Sequence, residues 1–241
     1  MKTIKLMFAL SILTVSFTAC KKEKIFGIKG EGDVESQVRQ VSGFDKIELD
    51  IDAEVEYYQD SVYYVEVQAQ SNLFYNLHTE VNNDGSLEIY FKNWVRSHKS
   101  VKVIVHSPNM TAFKINGSGN IKSLHLLNTN SMETEISGSG NISFENLVAN
   151  SLDSEISGSG DLSILGGNVS IQEIEISGSG KIKNSALISA KSIIEISGSG
   201  DVEVNCTDAM DVEISGSGTV YYLGNPIITL NISGSGDLIH L

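Results

Sequence analysis

From residue 111 to the C-terminus, apolar and polar residues alternate in short runs that are broken at regular intervals by the same five-residue string. Before each break the period is two: Ile174 and Ile176 alternate with Glu173 and Glu175, and Val212 and Ile214 alternate with Asp211 and Glu213. A period of two puts one set of side chains on each face of a strand, so one face is predicted buried and the other wet. The string is Ile-[Asn/Ser]-Gly-Ser-Gly, with its Ile at 115, 136, 156, 176, 196, 214 and 232, giving spacings of 21, 20, 20, 20, 18 and 18. Each copy continues with a polar residue and then an aliphatic one: Ile121, Ile142, Leu162, Ile182, Val202, Val220 and Leu238. The unit therefore reads as strand, tight corner, strand.

A fixed period of this length marks a solenoid rather than a globular fold. With about 3.3 Å per residue, one unit closes a coil of roughly 60 Å perimeter, and the next coil stacks ~4.8 Å away. The prediction is an all-β parallel β-helix of about 20-residue coils, its Ile and aliphatic positions forming two internal columns. Glycine at the corners accepts dihedrals that a Cβ forbids and lets neighbouring coils come close. The serines between them are placed to form a hydroxyl ladder. Proline occurs only at 108 and 226, as expected where almost every backbone N–H donates between coils.

Residues 39–110 lack the string but are strand-like over 44–51, 54–58, 62–69, 86–91 and 100–106, with a turn at Asn83-Asp84-Gly85 and a short helical turn in 71–77. They read as irregular first coils that cap the regular repeats of 111–241. A separate β-sandwich domain is the other reading. They also hold six of the eight tyrosines, the only Trp (Trp94) and both arginines. Adjacent pairs such as Tyr57-Tyr58 and Tyr63-Tyr64 place rings on both faces of a strand, which makes an aromatic platform for sugar a further expectation.

The N-terminus sets the compartment. Lys2 and Lys5 precede an apolar run, Leu6 to Phe17, that is too short to span a bilayer, and the run ends in Thr18-Ala19-Cys20. Residues 1–19 read as a lipoprotein signal peptide, Cys20 as the lipidated residue, and 20–38 as a tether to the membrane; an ordinary secretory peptide cut near Ala19, with Cys20 an incidental thiol, is the other reading. Lys21 follows Cys20 where Asp often retains lipoproteins in the inner membrane, so the expected location is the outer membrane of a cell envelope. Only Cys206 remains as a second thiol, so no disulfide framework is available; it reads as a buried filler.

The full chain carries a formal charge of −13, and cleavage after Ala19 removes two lysines and no acid, leaving 15 bases against 30 acids, or −15. Such a chain as a whole seeks neither nucleic acid nor anionic lipid heads; the local exception is Lys21, Lys22 and Lys24 directly after the anchor, which read as a solvated linker or as a patch lying on an anionic headgroup surface. The acids concentrate on the wet face of the repeats. Glu135, Glu155, Glu175, Glu195 and Glu213 stand one residue before the Ile, and Glu133, Asp153, Glu173 and Asp211 stand three before it. In register they become two carboxylate columns, in which like charges repel by about 1 kcal/mol per neighbour even in water. Two readings fit: Ca²⁺ bridging the carboxylates, or an acidic solvated face that discourages aggregation. No nonapeptide calcium repeat and no phosphate-loop Lys-Ser/Thr accompanies the glycines.

Catalysis finds no support in the motifs. His78, His98, His106, His125 and His240 lie in unlike contexts, and the repeated serines lack a strand-to-helix nucleophile elbow. Unit lengths of 18 to 21 leave no room for the loops with which a β-helical polysaccharide lyase or hydrolase would build a groove. The expected function is a non-catalytic ligand-binding module for a glycan or protein, with a polysaccharide-active enzyme or a passive structural protein as alternatives.

Val41-Ser42-Gly43-Phe44-Asp45-Lys46-Ile47, followed by the Gly-Ser-Gly series to about residue 238, resembles the head GIN domain family of bacterial envelope adhesins, particularly of Bacteroidetes. That resemblance implies a right-handed parallel β-helix and a role in adhesion rather than catalysis. The autotransporter label attached to the family fits this sequence poorly, since no C-terminal segment here is long enough for a membrane barrel.

Overall fold

The structure, a computed structural model, describes residues 27–241. The predicted signal peptide, Cys20 and Lys21, Lys22 and Lys24 lie outside the described residues. One sheet of 18 strands winds through the described chain, and its pairings from residue 112 onward are all parallel between successive coils. This is the parallel β-helix that the period predicts.

The two internal columns form as expected and extend further than the repeats. The first runs Ile89, Leu49, Ile115, Ile136, Ile156, Ile176, Ile196, Ile214, Ile232. The second runs Val103, Val55, Ile121, Ile142, Leu162, Ile182, Val202, Val220, Leu238. Above the last coil nearly every member is sealed from water. Burying one such aliphatic side chain contributes on the order of 2 kcal/mol, so the columns carry much of the stability.

Corner geometry explains the glycines. Gly178 has φ +138°, and a Cβ there would collide with the Gly158 carbonyl oxygen of the preceding coil; a Cβ on Gly180 would stand 2.5 Å from Ile156 Cγ2. The chain uses that closeness, because Ser179 N–H donates to the Gly158 carbonyl at 2.8 Å and Lys181 N–H to that of Gly160 at 3.2 Å. Among the described residues no hydroxyl ladder links the serines between the glycines, such as Ser139, Ser159 and Ser179; Ser137 and Ser157, which precede the first glycine, turn their hydroxyls toward Glu135 and Glu155 on their own strands, at 3.5 and 3.3 Å. Side-chain ladders form elsewhere, as Asn120 to Asn141, Asn130 to Asn150 and Ser131 to Ser151.

The shortening from 20 to 18 residues is absorbed in one place. Between Lys181–Gly198 and Asp201–Gly216 the register slips at Asn184/Ile188 and again at Ser189/Lys191. Around the slip the alternation inverts: Ser189 and Ser192 are buried, and Ile188 is exposed. Gln172 offsets the cost by donating to both serine hydroxyls at 3.0 Å.

In residues 27–110 the stacking departs from chain order. Lys46–Leu49 and Glu54–Gln59 lie directly against the first repeat coil, while Ser86–Phe91 and Lys102–Ser107 lie on their far side. Antiparallel strands then close that end: Leu77–Val81 on Ser86–Phe91, Tyr64–Gln70 on Lys102–Ser107, and Val34–Arg39 outermost. A short 3-10 turn at Ser71–Leu73 falls inside the predicted helical segment. The short strands Ile28–Lys29 and Val95–Ser97 pair in parallel as a separate two-stranded sheet.

Candidate functional site

The acidic face forms as two columns, and one of them is interrupted. Alternation turns each glutamate before the Ile outward, and stacking aligns Glu135, Glu155, Glu175, Glu195 and Glu213 coil upon coil. Beside them stand Glu133, Asp153 and Glu173, then Ile193, then Asp211. At the far end the two positions pass to Asn231 and Thr229, so the last coil presents no carboxylate in either column.

At the capped end the columns meet a cation. Lys114 takes the glutamate position one residue before Ile115, and its ammonium lies 2.7 Å from Glu133 Oε1 and 3.1 Å from Glu135 Oε2. Hydrogen bonding to Glu133, and then to Glu135, raises its pKa, while partial burial opposes the rise. One coil on, Asp153 has no such partner; its carboxyl is pushed up by desolvation and then by Glu173 and Glu133. A reading of the acids alone misses Lys114, although its alignment with the glutamates through the first string was a usable signal. Among the described residues no three His, Cys, Asp or Glu side chains converge on a metal-sized site. The columns present a line of single carboxylates, not a cage.

Residues 54–125 carry a different surface. On the outward face of Glu54–Gln59 and its neighbours, Tyr58 stacks on His106 at 4.8 Å and meets His125 edge-on at 5.4 Å; Tyr64 meets His106 from the other side at 5.6 Å. Charges there are matched in pairs. Lys102 lies 2.8 Å from Glu56, and Tyr64 donates its hydroxyl to Glu66 at 2.6 Å. Asp60 is held below the ordinary carboxylate value by the Ser61 backbone N–H and then by His106, and Glu66 by Tyr64 and Gln68. Of the pair Tyr57-Tyr58, Tyr57 turns inward. Its hydroxyl reaches Ser107 Oγ at 3.2 Å, and burial pushes the phenol up to about 12.

An open cleft of about 450 Å³ lies at the same end, lined by Asp50, Asp52, Tyr90, Phe91, Trp94 and His98. Trp94 is 68% exposed there. Cys206 is sealed in the core with its Sγ 3.1 Å from the Ala209 carbonyl oxygen, the filler role expected of it.

Comparison with known proteins follows the fold. The family model described as "Putative auto-transporter adhesin, head GIN domain" matches residues 43–226. No curated protein matches the chain. A crystal structure of a "putative adhesin" from Bacteroides fragilis superposes with a TM-score of 0.84 at 24% identity, covering 89% of this chain and 100% of that one. A "Putative lipid binding protein" from Parabacteroides distasonis superposes at 0.73 with 28% identity, covering 89% and 99% of the two chains. A "putative adhesin" from Parabacteroides merdae gives 0.71 at 21% identity, with the same coverage.

Proposed function

The chain belongs to the head GIN domain family, and from that premise we propose that it is a non-catalytic binding module, lipid-anchored through Cys20 in the outer membrane, that adheres through a surface spanning several coils. The observation that carries this reading is the register: Glu155, Glu175 and Glu195 stack on one another, and so do the strings that follow them. A contact made at one coil recurs at the next, ~4.8 Å on. Weak contacts then add along the solenoid, and affinity grows with the number of coils engaged. Catalysis instead needs unlike groups converging on one reacting atom, and the repeat face offers copies of one group. The adhesin and lipid-binding names of the similar structures support binding over chemistry.

Removing one unit, residues 155–174, joins Ser154 to Glu175 in the same register and keeps every column. Bacteria displaying that shortened chain are expected to adhere to a glycan- or protein-coated surface several-fold less well than the parent, with the β-sheet circular dichroism intact. An all-or-none loss, or cleavage of a glycan that a single carboxylate-to-alanine change abolishes, would rule the reading out. Cys20→Ala is expected to release the protein from membranes with its leader uncut; a wild-type chain found soluble and normally processed contradicts the anchor.

A further inference from the structure

We infer that the capped end of the solenoid is a membrane-facing surface, in which Trp94 seats at the headgroup level of an anionic bilayer and Lys29, Lys92 and Arg96 face its phosphates. The inference rests on the lipid anchor at Cys20 proposed above. It begins with charge. In a chain with 30 acidic and 17 basic side chains, residues 92–102 contain Lys92, Arg96, Lys99 and Lys102 and no acid, and residues 21–29 contain four lysines against Glu23.

Topology brings the described end of the first stretch, residues 27–29, against the second. Ile28 pairs with Val95 and Lys29 with Ser97; the Ile28 N–H donates to the Trp94 carbonyl at 3.0 Å, and the Gly30 N–H to that of Ser97 at 2.8 Å. The Trp94 ring lies so close to Gly27 that a Cβ there would not fit. The chain thus enters the folded body alongside Trp94. Six residues separate Cys20 from Gly27, and the seven extended steps between them span at most ~25 Å. A lipid on Cys20 therefore keeps Gly27 within ~25 Å of the bilayer whatever path the tether takes.

The surface held there carries exposed aromatic and basic residues of the kind found at a membrane interface, next to the exposed acids Glu31 and Asp33. Trp94 is 68% exposed and Tyr75 69%. They share one end because Asn76, next to Tyr75, clasps Asn93, next to Trp94: Asn76 Nδ2 donates to the Asn93 carbonyl at 3.0 Å, and the Asn93 N–H donates to Asn76 Oδ1 at 2.9 Å. Trp and Tyr are enriched at headgroup depth, where an apolar ring and a polar edge are both satisfied, and basic residues beside them are drawn to anionic lipid. Lys99 lies 3.8 Å from Asp33, and Asp50 and Asp52 line the cleft beside Trp94. Lys29, Lys92 and Arg96 are exposed and make no salt bridge among the described residues. The carboxylate columns, by contrast, belong to the repeat coils beyond Lys114 and are carried away from the bilayer.

Trp94 is the only tryptophan, so the native chain reports on itself. The mature chain with Cys20→Ser, which carries no lipid, is mixed with vesicles of phosphatidylglycerol and phosphatidylethanolamine, or with phosphatidylcholine alone. With anionic vesicles Trp94 emission is expected to shift to the blue and to be quenched by brominated acyl chains; with phosphatidylcholine it is not. Lys92→Glu with Arg96→Glu is expected to weaken co-sedimentation at least tenfold, and Lys183→Glu in the repeats to leave it unchanged. Co-sedimentation with Trp94 emission unshifted and unquenched would mean that the tether lysines act alone, and would overturn the inference. A shift with soluble sugars but not with vesicles would overturn it too, making the cleft a saccharide site. If wild-type protein fractionates as soluble in cells while the vesicle result holds, the anchor fails and the surface stands; the reverse pair of results leaves the anchor and removes the surface.

Discussion

The repeats and the cap share two apolar columns but solve their outer surfaces in opposite ways. On the carboxylate face of the repeats like stacks on like: isoleucine on isoleucine inside, glutamate on glutamate outside, and Lys114 is the cation that meets both carboxylate columns. In the cap most charged groups meet unlike partners, with Lys102 on Glu56, His78 on Glu80 and His106 between Tyr58 and Tyr64, and Glu48 on Glu88 is the like-charged exception. Repetition secures register, because only the in-register stack buries every isoleucine at once. Its cost is that a charged position becomes a charged column. The pKa directions follow the local partners: Asp153 is raised by desolvation and like-charged neighbours, and so is Glu48 in the cap, by desolvation and then Asp50, whereas Asp60, Glu66 and Glu80 in the cap are lowered by donors.

The largest expected effect separates the two regions by stability. Ile176→Asp buries a carboxylate without a partner between Ile156 and Ile196 and should cost several kcal/mol. Coils contact only their neighbours, so the loss should stay in the repeats. Circular dichroism is then expected to melt before Trp94 fluorescence, which reports the cap, and a single coincident transition would show that the two regions fold as one unit. Exposed Ser177→Ala should cost under about 1 kcal/mol by the same measurement.

A smaller effect compares corner glycines. Gly178→Ala must accept both a φ of +138° and a collision with the Gly158 carbonyl, for a cost of ~3 kcal/mol. Gly43 in the cap has φ +81° but open space around a built Cβ, and Gly43→Ala should cost only the left-handed backbone, about 1 kcal/mol. Equal denaturation midpoints for the two variants would remove close coil approach as the reason for the string.

The smallest effects are electrostatic. Lys114→Met leaves Glu133 and Glu135 facing each other without a cation and should cost about 1 kcal/mol at neutral pH. Asp153→Asn should stabilise by a few tenths of a kcal/mol at pH 7. The sign follows from its raised pKa: the folded state holds the proton more tightly than the unfolded chain, so stability is highest below the ordinary value of 3.8 and falls as pH rises through the folded value. The advantage of Asp153→Asn over wild type should therefore vanish in urea titrations at pH 3. Asp60, Glu66 and Glu80 act in the other direction, losing their contribution as pH falls through their lowered values.

The sequence by itself determined the period, the inward and outward faces, both columns and the carboxylate rows, down to which glutamate stacks on which. It could do so because each copy is the template for the next, and a one-residue slip would turn every isoleucine into water. The tertiary structure alone decided the placement of segments that have no copy. Ser86–Phe91 and Lys102–Ser107 lie on the far side of Lys46–Leu49 and Glu54–Gln59, and Ile28 pairs with Val95 across 67 residues. Asn184 to Lys191 likewise lost the alternation to a register slip that Gln172 fills. Without repetition nothing local names a strand's neighbour; that choice is made by which long-range pairing buries the most apolar surface and leaves the fewest backbone groups unpaired.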